Sequence, residues 1–195
     1  MIYFRALIFS LLILAFSMPA AAQSVVIGKG NAGVCYEFAR SMDMGSRGAL
    51  RTCNEALKED LSVKNRAATY VNLGILLMRK EDFTDAITNY KSALELKPDL
   101  TEAHVNMGAA LIYQDQLEPA LASINIALQD VDSDTRPAAL LNRAVIYDRQ
   151  EKYVLAYRDL KEAATLKPNW EKVDQFLSRY TVCLLYTSPS PRDRG

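Results

Sequence analysis

Residues 67–100 read AATYVNLGILLMRKEDFTDAITNYKSALELKPDL. Within them Gly74, Ala86, Tyr90, Ala93 and Pro98 hold a spacing that comes back twice. It returns 34 residues on as Gly108, Ala120, Ile124, Ala127 and Asp132, and after 36 more as Ala144, Ala156, Leu160, Ala163 and Pro168. Small residues recurring with large ones at a period near 34 indicate helical hairpins that cannot bury their apolar faces alone and therefore stack. Three units follow: 67–100, 101–134 and, after two extra residues, 137–170. Below, positions within a unit are slots 1 to 34.

Each recurrent residue has a physical task. Gly74, Gly108 and Ala144 at slot 8 are small where the two helices of a hairpin approach, and Ala86, Ala120 and Ala156 at slot 20 are their counterparts. Tyr90, Ile124 and Leu160 at slot 24 fill the space between hairpins. Pro98 and Pro168 stop a helix, having no N–H for a further turn. Asp82 and Asn169 are expected to cap the helices that follow them. None of these helices is long enough to be stable by itself in water.

With Tyr70, Leu73 and Gly74 opening the first unit, and His104, Met107, Leu111, Leu140 and Tyr147 in the others, the segment 65–170 resembles the tetratricopeptide repeat family. The resemblance implies an all-α helix–turn–helix solenoid of about three full repeats, working by binding another protein. Outside the repeats, 33–62 reads as a degenerate N-terminal helix pair, with Ala49 and Ala56 spaced like the framework alanines. Trp170, Val173, Leu177 and Tyr180 recur at helical spacing and mark a capping helix over 171–182. Residues 23–32, containing Gly28 and Gly30, read as a flexible leader.

The family resemblance places slots 2, 5, 6, 9 and 12 on the concave surface. Slot 6 is the same residue throughout: Asn72, Asn106 and Asn142. An amide ladder offers donors and acceptors to an extended peptide, and Val71, Ile75, Val105, Ala109, Ile112, Leu141 and Val145 surround it with apolar surface suited to a peptide or helix. Bonding within or between the chain's own helices is the alternative for the same amides. A carboxylate clamp would need lysines where Val71, Glu102 and Ala138 stand, so that variant is disfavoured. Arg79 and Arg149 read as solvated charge, with an acidic ligand as the alternative.

Residues 1–22 join a short basic start, an apolar run over 6–16 and Ala20-Ala21-Ala22, which is the pattern of a secretory signal peptide cleaved near Ala22; an uncleaved anchor is the rival. The mature chain would then be secreted or periplasmic, with no stable membrane anchor. In an oxidising compartment Cys35 and Cys53 are expected to form a disulfide across the turn near Asp43-Met44-Gly45-Ser46. Buried free thiols or a catalytic thiol are the alternatives. At the other end, Leu184-Leu185-Tyr186-Thr187-Ser188 and Pro189-Ser190-Pro191-Arg192-Asp193 resemble a translated sequencing adapter, so 183–195 is read as an adapter-derived tail rather than a Ser/Pro-rich disordered one.

The printed chain has 23 basic and 23 acidic residues; without Arg5, Arg192, Arg194 and Asp193 these become 20 and 22. A near-neutral surface of mixed signs does not suit a nucleic-acid groove. No catalytic constellation, cofactor loop or metal-ligand spacing is found: His104 is the only His, at a slot where packing is its expected job. The expected function is a non-enzymatic interaction module or scaffold of the cell envelope, with self-association a further possibility. The alternative is the helical part of, or an accessory to, an envelope or cell-wall enzyme.

Overall fold

The computed structural model describes residues 30–41 and 45–187, the last seven as backbone. The expected signal peptide, most of the leader, Asp43-Met44 of the first turn and the end of the expected tail lie outside the described residues. Nine helices follow one another in the described chain: α1 (Asn31–Arg40), α2 (Arg47–Ala56), α3 (Val63–Arg79), α4 (Phe83–Leu96), α5 (Thr101–Tyr113), α6 (Leu117–Ala127), α7 (Arg136–Arg149), α8 (Tyr153–Leu166) and α9 (Glu171–Thr187). Each pairs with the next, and α1, α3, α5 and α7 also pack side by side. The result is an all-α solenoid whose first helices form one layer and whose second helices form the other.

The small residues act where the spacing puts them. A Cβ added at Gly74 would meet the ring of Tyr90, and one at Gly108 would meet the end of Ile124. Ala86, Ala120 and Ala156 have no exposed surface, nor do Tyr90, Ile124 and Leu160. Burial fixes the Tyr90 phenol in its neutral form and raises its pKa far above the ordinary value, Arg79 opposing weakly. Two groups of buried side chains form the core, joined by Leu128, Ala138 and Phe176, which pack against both.

The turn from first to second helix is built alike in all three units. Slot 15 adopts the left-handed region at Glu81 (φ 63°), Asp115 (φ 58°) and Glu151 (φ 58°). The next backbone N–H reaches back five residues, from Asp82 to Leu77 O, Gln116 to Leu111 O and Lys152 to Tyr147 O. This closes the helix end in a Schellman-type cap, a place where glycine is the usual occupant. Asp82 caps α4 as expected, accepting from Asp85 N. Asn169 does not cap α9: it sits at φ 59°, and Trp170 O takes the first helical bond from Asp174 N.

Cys35 and Cys53 are joined, with Cα atoms 4.9 Å apart, and tie α1 to α2. Both are fully buried against Ala39 and Ala49. At the other end Trp170, Val173 and Tyr180 are buried and Leu177 half-buried, while Glu171, Asp174, Gln175 and Ser178 stay exposed. The backbone of α9 continues to Thr187, five residues past the expected end of the capping helix at Val182 and into the stretch read as a tail. Among the described residues no helix is long and apolar enough to cross a membrane.

Candidate functional site

The nine expected binding residues all lie on α3, α5 and α7, on the layer of first helices, but most are covered. Asn72 is 1% exposed and Asn142 7%; Val71, Ile75, Val105, Leu141 and Val145 are also buried, as is Ile112 beside them. Asn106 and Ala109 are half-exposed. Side-by-side packing of the first helices consumes slot 5 and, in the first and third units, slot 9, so the apolar side chains expected to line an open trough mainly cement the helices to one another. The residues of this face that reach solvent are Asn106 and Ala109, with Met78, Glu102, Ala138 and Asp148 around them, each partly exposed.

The amides differ from rung to rung. Asn142 Nδ2 donates to Val105 O at 3.4 Å, crossing from α7 to the preceding first helix. Here the helix-to-helix alternative describes the side chain. Both amide atoms of Asn72 and the Nδ2 of Asn106 are buried without a hydrogen-bond partner among the described residues. A buried amide left in that condition is costly; of the three rungs Asn106 is the one that is partly exposed as a residue, though its Nδ2 is not.

Arg79 and Arg149, at slot 13, are neither solvated charge nor free for a ligand. Arg79 donates to Phe38 O at 3.3 Å, Ala39 O at 2.6 Å and Ser41 O at 2.8 Å. Arg149 donates to Ile112 O at 2.8 Å and to the Asp115 carboxylate at 3.2 Å. Each guanidinium thus satisfies carbonyls at the C-terminal end of the preceding first helix, where the helix dipole favours a cation. The second unit has Tyr113 at this slot, stacked on Phe83 with ring centroids 4.5 Å apart. Burial and the nearby Glu81 raise the Tyr113 pKa to about 12.

His104 is buried as packing, its ring nitrogens 3.3 Å from Ser123 Oγ and 2.9 Å from Pro98 O. Ser123 in turn donates to His104 O. In the third unit the equivalent space holds an ion pair: Arg143 donates through two nitrogens to Asp159, at 2.7 and 2.9 Å. Asp159 is 3% exposed. Sequence reasoning missed this pair; the signal was a charge, Arg143, at slot 7, where the other units have Leu73 and Met107.

An open, polar depression of about 350 Å³ lies at the N-terminal ends of α5 and α7, lined by Lys64, Lys97, Asp99, Glu102, Asp130 and Asp134 among others. Among the described residues no group of three metal-ligating side chains converges. Burial lowers the Lys172 pKa to about 8 at the start of α9.

The TPR repeat family model matches residues 74–115, the stretch from the first slot-8 glycine to the second unit's left-handed turn. The fold is a tetratricopeptide-repeat solenoid. Solved structures agree. PilW, described as a widely conserved type IV pilus biogenesis factor, superposes with a TM-score of 0.69 at 23% identity, over 78% of this chain and 68% of its own. MamA from Desulfovibrio magneticus RS-1 gives 0.62 at 23% identity, over 80% and 85%. A thermophilic TPR protein of Thermus thermophilus gives 0.51 at 15% identity, over 80% and 97%. No curated protein matches the sequence. The TPR fold is known for protein–protein interaction scaffolds.

Proposed function

We propose that this TPR chain is a non-enzymatic recognition module of the cell envelope that holds a peptide or helix of a protein partner against the inner face of α3, α5 and α7. The observation that carries the reading is the partly exposed pair Asn106 and Ala109 in the middle of that face, where the neighbouring rungs are covered. A backbone N–H of an incoming segment would donate to the Asn106 amide oxygen, and Ala109 would let it approach. Asn72, Asn142 and the buried valines and leucine hold the helices in the register that places this rung; their part in binding is indirect. Export is supported by the disulfide, which belongs to oxidising compartments, and by the signal-peptide pattern of residues 1–22.

The test is affinity capture from envelope extracts with residues 23–195 as bait, beside Asn106→Ala and Ala109→Arg. The expected outcome is a protein held by the parent chain and lost from both variants while their melting curves stay superimposable. Capture that survives both substitutions moves the site off this face.

A further inference from the structure

The C-terminal end of the solenoid is rich in aromatic rings, and three of them already carry a cation from the chain itself. Arg143 lies over the Tyr147 ring at 5.8 Å, Lys167 over Trp170 at 4.8 Å and Arg179 over Phe176 at 4.1 Å. Three more rings meet beside them. Tyr180 of α9 lies 6.5 Å from Tyr153 and 6.2 Å from Tyr157, inclined to them by 56° and 55°. Tyr153 and Tyr157 are four residues apart on α8 and so share one helix face. Among the described residues none of these three rings carries a cation.

Ordinary core packing accounts for Tyr180, which is buried, but not for Tyr153, which is 53% exposed. A carboxylate backs the group: the Tyr180 hydroxyl donates to Asp148 Oδ1. Among the described residues Asp148 takes part in no ion pair, unlike Asp115, Asp159 and Glu162, each matched to an arginine. That hydrogen bond pushes electron density onto the phenol and places a carboxylate at the edge of the ring group, with Arg179 acting on the same phenol in the opposite sense. Exposed ring face with a carboxylate close by presents the electrostatics that attract an alkylammonium or guanidinium group.

We propose that Tyr153, Tyr157 and Tyr180, backed by Asp148, form a binding face for a lysine or arginine side chain of the protein partner. The proposal rests on the reading of the inner face as the docking surface, because Asp148 occupies slot 12 of that face and the rings extend it toward α9. A partner segment lying across Asn106 would then carry a basic residue at the end that reaches the last helix pair.

The experiment is an NMR titration of the purified chain, following the tyrosine ring signals. The probe is Nα-acetyl-lysine methylamide, and its control is the norleucine analogue, which has the same length without the charge. Saturable shifts of Tyr153 and Tyr157 with the lysine compound are expected, at least about fivefold weaker with norleucine. Tyr153→Ala, at an exposed position, should abolish them without changing the circular dichroism, and Asp148→Asn should weaken them. Equal shifts with norleucine, or an unaltered titration in Tyr153→Ala, overturn the proposal. Choline moving these rings while the lysine compound does not reassigns the face to a free quaternary amine and also overturns it. Capture of a partner that needs Asn106 but is indifferent to Tyr153→Ala leaves the groove standing and removes only the cation face.

Discussion

Slot 15 shows what a single residue contributes. Glu81, Asp115 and Glu151 each take the left-handed conformation, which costs an L-residue roughly 1–2 kcal/mol. Glycine would escape that cost while losing about 0.5–1 kcal/mol through its freer unfolded chain. The difference favours glycine, so Glu151→Gly should stabilise by about 0.5 kcal/mol, raising the melting temperature by ~1–2 °C, read by thermal circular dichroism. An unchanged or lower melting point would show that the side chain has a compensating role. This slot was not legible in the sequence, since no glycine marks it and the acidic side chains read as surface caps. The slot-13 arginines were hidden for a related reason. Their partners are carbonyls 37 to 41 residues away, and a backbone acceptor leaves no trace in side-chain pattern.

Among elements, the hairpin contact is set by a pair of sizes. Gly74 faces Tyr90 and Gly108 faces Ile124, whereas the third unit combines Ala144 with Leu160. Gly74→Ala gains up to about 1 kcal/mol of helix propensity but drives a methyl into the Tyr90 ring, and overpacking typically costs about 1–3 kcal/mol. The steric term should win, giving a net loss of about 1–2 kcal/mol in urea unfolding. Tyr90→Leu alone should also destabilise, by leaving a cavity. The two together should be less harmful than their sum, since they recreate the third unit's pairing. Strict additivity in that double-mutant cycle would contradict the size-pair account. These pairings were legible because small and large residues recur at fixed spacing. The open trough was legible only in part: the spacing identified the helices and the face, while burial along α3, α5 and α7 depends on how closely neighbouring first helices approach. No single hairpin specifies that distance.

At the scale of the whole molecule, stability in a stack is passed between neighbours rather than held in one centre. The bridge between Cys35 and Cys53 closes an 18-residue separation and contributes about 3 kcal/mol in the chain-entropy model. Reduction, or the Cys35→Ala/Cys53→Ala pair, should lower stability by about that amount. Hydrogen exchange should show α1 and α2 losing protection first, then α3 through its Arg79 bonds, with α7 to α9 nearly unaffected. Uniform loss along the chain would mean that the solenoid unfolds as one block. The disulfide was legible as an expectation from compartment and spacing, and the ends of the stack from their change in helical pattern.

The joints between first helices are not fastened alike. Guanidinium groups clasp the carbonyl ends of α1 and α5, whereas the end of α5 meets the hairpin before it through the overlap of Tyr113 on Phe83 and a neutral bond from Gln114 Nε2 to Thr84 Oγ1 at 2.8 Å. A charged fork on backbone carbonyls resists rotation more than stacked rings and one neutral side-chain bond. If loading changes the curvature of the spiral, its easiest pivot therefore lies between the first and second hairpins, one step from Asn106, so that a ligand settling there would sit beside the hinge it bends.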